Sequence, residues 1–215
     1  MNENIYDAEV SIPRYFIFRS DKTGRVRGGS GAYLRSDLGC ISYYSFCNSV
    51  VEILLVKCKK LDALIRVIYR PPNTSISDWK QATDGLSEAI NLALAHGDYK
   101  NLIIGGDFNL PRLTWNNGIV TLSTDLKSQE EMFVQFMSER FLTNIVTEPT
   151  RENRTLDLLL TNVPEWFGKV RVTKNVKFSD HNTISMDLLV NITDPGGQKD
   201  DEDMRITSVI VIGVR

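Results

Sequence analysis

An α/β sandwich is the fold class that this sequence of 215 residues predicts. Three observations favour it. Short apolar runs rich in Val, Ile and Leu, each bounded by turn residues, recur along the chain as strands do. Two longer stretches show helical periodicity. The predicted strands outnumber the helices and some follow one another as hairpins, which favours mixed or antiparallel sheets with helices packed outside.

Seven apolar runs have the length and composition of strands. They are residues 15–18, 51–58, 64–69, 101–105, 156–161, 170–172 and 183–190. The runs 51–58 and 64–69 are predicted to pair as a hairpin.

Two helices interrupt the strands. The first is predicted to begin near Ser77 and to end at Gly97, a residue that supplies a C-terminal stop. The second begins with the capping box of residues 128–131. Apolar residues at helical spacing predict the buried faces: Trp79, Ala82, Leu86, Ile90 and Ala93 in the first helix, and Phe133, Phe136, Met137 and Phe141 in the second.

Composition predicts one globular domain over residues 1–191 and a tail over residues 192–215. The chain is 42% hydrophobic and 24% charged, and it is long enough to bury one sizeable core. A polar, charged tract with turn residues begins at residue 191, and residues 206–214 form a short apolar segment. The net charge of −2 excludes a globally basic surface, so contact with DNA would need a local patch of Lys and Arg.

The cysteines and the N-terminus predict an intracellular protein. Cys40, Cys47 and Cys58 are odd in number and lack the C-x-x-C spacing of a zinc or redox motif, so we expect core thiols in a reducing compartment. No apolar run approaches the length of a membrane span, and no signal peptide precedes the first strand.

An acid and an amide follow a buried strand at residues 102–109. Period-2 alternation can place Asp107 and Asn109 on one face at the strand end, where a carboxylate can hold a cation or orient water and an amide can bind a phosphate oxygen. An Asx turn that closes the strand is the alternative.

A second acid lies inside an apolar strand. Asp157 must be paired or hydrogen-bonded there, because burial of a lone carboxylate is costly. One possible partner is His181, whose ring a buried acid would orient; a salt bridge with Arg154 or Arg151 would serve equally well. The other histidine, His96, is expected to cap the end of the first helix.

The order of these motifs resembles that of the endonuclease/exonuclease/phosphatase superfamily. Tyr-Arg-Pro-Pro at 69–72 precedes Gly-Asp-Phe-Asn at 106–109, Leu-Asp-Leu-Leu-Leu-Thr-Asn at 156–162 and Ser-Asp-His-Asn at 179–182. The sequence most resembles the apurinic/apyrimidinic-like endonuclease domain of non-LTR (LINE-type) retrotransposons, also through Val-Thr-Glu-Pro-Thr-Arg at 146–151. The resemblance implies a four-layer α/β sandwich of two mixed sheets flanked by helices.

The resemblance also implies a reaction and residue roles. Magnesium (or manganese) would assist hydrolysis of a DNA phosphodiester, leaving a 3′-hydroxyl for a reverse transcriptase. Asp107 matches the acid that orients or deprotonates water, Asn109 and Tyr69 match phosphate-binding residues, and Asp180 matches a carboxylate on the metal side. His181 matches the histidine that faces the phosphate, and Asp157 matches the acid that orients that histidine.

The sequence departs from the family pattern at its start. The family's first-strand asparagine and its metal-binding glutamate have no counterpart, and no reverse-transcriptase domain follows. We therefore expect an N-terminally incomplete domain that lacks the first strand and is inactive or nearly so as written. The alternatives are a phosphoesterase acting on a lipid or small phosphate, and a non-catalytic relic domain.

A local basic patch is predicted beside the candidate site. Its members outnumber the acids between residues 151 and 177, and they could track a DNA backbone or form a solvated face. They are Arg151, Arg154, Lys169, Arg171, Lys174 and Lys177.

Overall fold

The structure, a computed structural model, describes residues 6–20, 30–47, 51–95, 99–121, 128–174 and 180–190. Its strands are β1 (Tyr15–Ser20), β2 (Ser30–Arg35), β3 (Cys40–Cys47), β4 (Glu52–Cys58), β5 (Ala63–Tyr69), β6 (Asn101–Asp107), β7 (Thr114–Asn116), β8 (Ile119–Thr121), β9 (Thr143–Asn144), β10 (Asp157–Thr161), β11 (Arg171–Thr173) and β12 (Thr183–Ser185). Its α-helices are α1 (Ile76–Ala95) and α2 (Ser128–Glu139). Short 3₁₀ helices cover Asp7–Val10, Ser36–Leu38 and Pro164–Trp166.

A six-stranded mixed sheet in the order β3-β4-β5-β6-β10-β9 forms the centre of the fold. Strands β4 and β5 pair as the predicted hairpin. Only β5 and β6 run parallel in this sheet, and α1 provides the crossover that a parallel pair requires. The ends of β5 and β6 therefore lie at the same edge, next to the start of antiparallel β10.

Each face of this sheet covers its own apolar core. On one face, α1 and α2 contribute Trp79, Leu86 and Phe133. Large side chains of this kind each stabilise the fold by roughly 1.5–3 kcal/mol when buried. The other face packs against β1, β2 and β12 through residues such as Leu34 and Ile184. This arrangement confirms the predicted α/β sandwich.

The structure corrects two predictions. Phe141, predicted on the buried face of the second helix, lies beyond the end of α2 and is 86% exposed. The last predicted strand, 183–190, pairs regularly only over Thr183–Ser185, because beyond it the chain forms just an isolated bridge between Leu188 and Phe167. Strands β2, β3, β7, β8 and β9 were not predicted. The aliphatic strands that line both cores were predicted.

Two predictions lie outside the described residues: the helix stop at His96 and Gly97, and the tail at 192–215. Cys40 and Cys58 are buried free thiols, as predicted. No helix in the described part of the chain is long and apolar enough to cross a membrane.

Candidate active site

Polar residues form a row across one edge of the central sheet. In the strand register, Asp107 lies opposite Tyr69 on one side and opposite Asp157 on the other. Glu52 continues the row opposite Tyr69. Cross-strand partners point to the same face, so all four side chains lie on one face of the sheet. Leu54, on the same face of β4 as Glu52, belongs to the core that packs against β1, β2 and β12.

The Asp107–Asn109 segment is a turn, not an extension of the strand. Asn109 has a left-handed backbone with φ 46°, and its N–H donates to Oδ1 of Asp107 at 3.2 Å. The Asx turn considered as the alternative is therefore present. This turn, and not strand alternation, brings Asn109 to the Asp107 carboxylate, because β6 ends at Asp107. Asparagine tolerates this conformation better than most residues.

His181 lies over this row and contacts both acids. Its Nδ1 is 2.8 Å from Oδ2 of Asp157, and its Nε2 is 3.9 Å from Oδ2 of Asp107. Nδ1 therefore faces Asp157, to which it can donate as an N–H, and Nε2 faces Asp107. Among the described residues, Asp157 thus pairs with the histidine, while Arg151, one of the two alternative partners, pairs with Asp180 at 2.6 Å.

Thr150 connects the segments that carry Asp157 and His181. It is fully buried, and its Oγ1 accepts the N–H groups of Leu156 and Asp157 at 3.0 Å each. Its carbonyl accepts the N–H of Asn182 at 2.7 Å. One threonine therefore fixes the start of β10 relative to the residue that follows His181.

Burial and mutual repulsion shift the pKa values in this cluster. Desolvation, followed by the charge of Asp157, raises the pKa of Asp107 to about 7, although His181 and hydrogen bonds from Asn109 oppose the rise. The hydrogen bond to Asp157 raises the pKa of His181 against the effect of burial. Desolvation, together with Asp107 and Glu52, raises the pKa of the Tyr69 hydroxyl, which keeps it a donor.

The same residues could hold a metal ion. One ligand atom each from Asp107, Asp157 and His181 lies within 4.8 Å of the others. Magnesium prefers oxygen ligands, so the carboxylates fit such an ion, whereas the histidine is already engaged with Asp157. Asp180, the predicted metal-side acid, is not in this group: its side chain is 67% exposed and paired with Arg151.

A cleft of about 290 Å³ opens beside Asn109. Arg151, Glu152 and Arg154 line it, together with Pro72, Pro111 and Leu156. These two arginines belong to the predicted basic patch and face each other across a tight turn, where their backbones form an isolated bridge. Of the other members, Arg171 pairs with Asp187 at 3.6 Å, and Lys177 lies outside the described residues.

Sequence reasoning gave no role to three residues around this site. Thr150, Arg70 and Glu52 are buried, and the first two hold site residues through contacts that are distant in sequence. A charged residue within a run otherwise typical of a buried strand, as at Glu52, is the one local signal that could have drawn attention to them.

Comparisons with known proteins agree with this fold. The family described as Endonuclease-reverse transcriptase matches residues 63–185, more than half of the chain. A comparison with curated protein sequences found no match to this chain. The endonuclease domain of TRAS1, a telomere-specific non-LTR retrotransposon, superposes with a TM-score of 0.54 at 16% identity, over 83% of this chain and 82% of that one.

Two other solved structures share the fold at low identity. The mannosyl-6-phosphatase of Bacteroides thetaiotaomicron has a TM-score of 0.51 at 14% identity, over 86% of this chain and 80% of that one. The human Nocturnin catalytic domain with bound sulfate has a TM-score of 0.50 at 16% identity, over 90% and 72%. The fold is that of the endonuclease/exonuclease/phosphatase superfamily. Within it, the chain belongs to the endonuclease-reverse transcriptase family.

Proposed function

We propose that this chain is the DNA endonuclease domain of a non-LTR retrotransposon and hydrolyses a phosphodiester with magnesium or manganese. The observation that carries the proposal is the cluster of Asp107, Asp157 and His181 beside Asn109, at a sheet edge next to an arginine-lined cleft. Acids, an amide and an oriented histidine are the groups that phosphodiester hydrolysis needs.

The geometry suits activation of a water molecule. An oxygen atom can hydrogen-bond at about 2.8 Å to two groups that are 3.9 Å apart, as Asp107 Oδ2 and His181 Nε2 are. Asp107 would take the proton of this water as its oxygen attacks phosphorus. The bond from phosphorus to the 3′ oxygen breaks, and that oxygen leaves as a hydroxyl after it gains a proton.

The other residues would bind and orient the phosphate. Asn109 and the Tyr69 hydroxyl can donate to the nonbridging oxygens of the phosphate. Asp157 would hold the His181 ring so that Nε2 faces the phosphate. A divalent cation, when bound, would neutralise charge that develops on the phosphate. We assign Asp107 to hold it, and Asp180 could join Asp107 only on release from Arg151, with which it is paired at 2.6 Å.

The cleft favours DNA over a small phosphate ester. Arg151 and Arg154 extend the polar surface beyond Asn109, and a polymer has further phosphates for them to contact. A lipid or sugar phosphate would leave that part of the cleft unused.

We further propose that residues 1–215 nick DNA weakly or not at all. The family's metal-binding glutamate has no counterpart in this sequence, and the carboxylate of Asp180 is held by Arg151. A single remaining metal-side carboxylate would bind magnesium poorly.

The test compares residues 1–215 with a form extended at its N-terminus by a family-type segment that carries the glutamate. We expect the extended form to nick supercoiled plasmid with magnesium and His181→Ala to abolish this, whereas His96→Ala, which changes the other histidine, leaves it intact. Hydrolysis of small phosphate esters without nicking would favour the phosphoesterase alternative. Binding of DNA with neither activity would favour the non-catalytic relic.

A further inference from the structure

Arg70 is a buried arginine that immediately follows Tyr69. Its residue surface is 2% exposed, and its guanidinium lies 5.3 Å from the ring centre of Trp79. Burial lowers the pKa of Arg70, while Glu130 and Asp107 oppose this effect. Because the intrinsic pKa of arginine is so high, the group remains a cation at neutral pH.

The hydrogen bonds of Arg70 converge on the turn that carries Asp107 and Asn109. Nη1 donates to the carbonyl oxygens of Asn109 at 2.8 Å and of Phe108 at 3.3 Å. The backbone N–H of Arg70 donates to the carbonyl of Asp107 at 2.9 Å. In return, Nδ2 of Asn109 donates to the carbonyl of Arg70 at 2.9 Å.

These bonds act on the conformation of the turn. All three carbonyls of residues 107–109 accept from Arg70, and the Asn109 side chain is bound to it as well. Asn109 is held in the left-handed region, with φ 46°, which costs free energy unless its surroundings impose it. The guanidinium therefore maintains the turn that sets the amide beside the Asp107 carboxylate.

A second set of contacts holds the arginine itself. Nη2 donates to Oε1 of Gln129, at the start of α2. Nε2 of Gln129 donates to the carbonyl of Thr74 at 2.8 Å, and its carbonyl accepts from Nε1 of Trp79 at 3.2 Å. The beginning of α2 and the beginning of α1 are thus joined to the site through one guanidinium.

We propose that Arg70 is a positioning residue, which holds Asn109 and Asp107 in the geometry that faces a bound phosphate. This inference rests on the function proposed above. A buried cation is a poor way to gain stability, because apolar residues of similar volume often stabilise a protein as well or better. The several hydrogen bonds from Arg70 to one turn indicate instead a role in arranging the site.

The test uses three variants of the chain. Arg70→Lys keeps the charge but, as a single point donor, cannot reach both carbonyls and Gln129 together. Gln129→Leu keeps the arginine and removes its acceptor on α2. Arg66→Lys is the matched control, since Arg66 is a buried arginine earlier on the same strand, 1% exposed.

Two measurements are made on each. The first is the NMR ¹³Cα shift of Asn109, which reports its left-handed backbone in the absence of any substrate. In Arg70→Lys we expect this shift to move towards the value of an extended residue, and in Gln129→Leu we expect a smaller movement in the same direction. In Arg66→Lys the shift should not change. All three variants should unfold at a lower temperature than the wild type.

The second measurement is kcat and KM for nicking by the form that carries the glutamate segment. We expect Arg70→Lys to lower kcat about 100-fold with KM changed less than about threefold, and Arg66→Lys to leave both near the wild-type values. An unmoved Asn109 shift in Arg70→Lys, or equal movement in Arg66→Lys, would overturn the proposal. If Arg70→Lys does not fold, Gln129→Leu decides in the same way.

The two proposals fail separately. A glutamate-extended form that does not nick DNA would contradict the proposed function, while the Asn109 shift would still decide whether Arg70 holds the turn.

Discussion

At the scale of single residues, His181 depends on Asp157 for its orientation. The pair is 2.8 Å apart, and the hydrogen bond is the main cause of the raised pKa of His181. In Asp157→Asn the pKa of His181 should fall, because the amide keeps the shape of the acid but loses its charge. An NMR titration of the His181 ring protons measures this.

Asp180→Asn is the control for that titration. Asp180 also raises the pKa of His181, but it is the smallest of the causes, so its replacement should lower the value by less. Equal shifts in the two variants would mean that Asp157 acts only as a distant charge.

Asp107 illustrates how a site residue can destabilise the fold. Its pKa in the folded protein is about 7, well above that of an unfolded aspartate, so the folded state binds the proton more tightly. Stability therefore falls as pH rises from roughly 4 to 7. At pH 8 Asp107→Asn should gain on the order of 2–4 kcal/mol in free energy of unfolding, and at pH 4 almost nothing.

Chemical denaturation at the two pH values measures this difference. In the glutamate-extended form the same substitution should also abolish nicking, since an amide cannot take a proton from water. A gain of equal size at pH 4 and pH 8 would contradict this prediction. It would show that ionisation of Asp107 does not destabilise the folded protein.

At the scale of elements, the close approach of β5 and β6 depends on a glycine. Gly106 has φ 154°, and a Cβ placed there would lie 1.8 Å from the carbonyl oxygen of Ile68. Gly106→Ala must push the two strands apart where Tyr69 and Asp107 are paired. We expect a loss of at least about 3 kcal/mol in the free energy of unfolding.

Gly85→Ala is the matched control for this prediction. Gly85 lies inside α1, and nothing lies within 4 Å of a Cβ built there. The same substitution should stabilise that helix by about 0.5–1 kcal/mol. Thermal or denaturant unfolding should therefore give opposite signs for the two variants, and a mild effect at Gly106 would mean that the strands have room to separate.

Elements differed in how well the sequence predicted them. Strands β4, β5 and β10 are mostly aliphatic because both of their faces are buried. Strand β2, Ser-Gly-Ala-Tyr-Leu-Arg, carries a glycine, a serine and an arginine among its apolar residues and gives no such signal. Pairing with β1 over the whole length of β2 makes it a strand. That pairing is tertiary and cannot be read from local composition.

The candidate site was predicted only in part, because local composition does not reveal tertiary contacts there either. Asp107, Asp157 and His181 were found because a polar residue stands at the end of, or inside, an apolar strand. The contacts of Arg70 with Asn109 span 39 positions, and those of Thr150 serve two loops at once. No local pattern predicts such contacts, because they arise only when strand ends meet at one edge of the sheet.

At the scale of the whole molecule, a chain with a net negative charge places two arginines and one glutamate around the cleft beside Asn109. The chain carries a net charge of −2, which opposes approach to a polyanion, while the cleft beside Asn109 is lined by Arg151 and Arg154. Binding of DNA should therefore depend on this cleft. Each phosphate that a cation neutralises releases counterions, so affinity should fall steeply with salt.

Arg154→Ala should flatten that salt dependence. If the exposed Arg154 neutralises one phosphate, its loss lowers the slope of log affinity against log salt by about 0.9. Arg151 is less suited to the test, because its replacement also releases Asp180. Binding of a duplex by the wild type and the variant, measured by fluorescence anisotropy from low to moderate salt, gives the slopes without any need for catalysis.

Lys100→Ala is the control of equal charge. Lys100 is exposed and precedes β6, at the end of the strand opposite to Asp107, so seven residues of extended chain, roughly 23 Å, separate it from the site. A uniform electrostatic attraction would change both slopes alike, because both variants lose one positive charge. A slope that changes only in Arg154→Ala would locate the DNA in the cleft, and parallel slopes for all three proteins would remove the cleft from the interface.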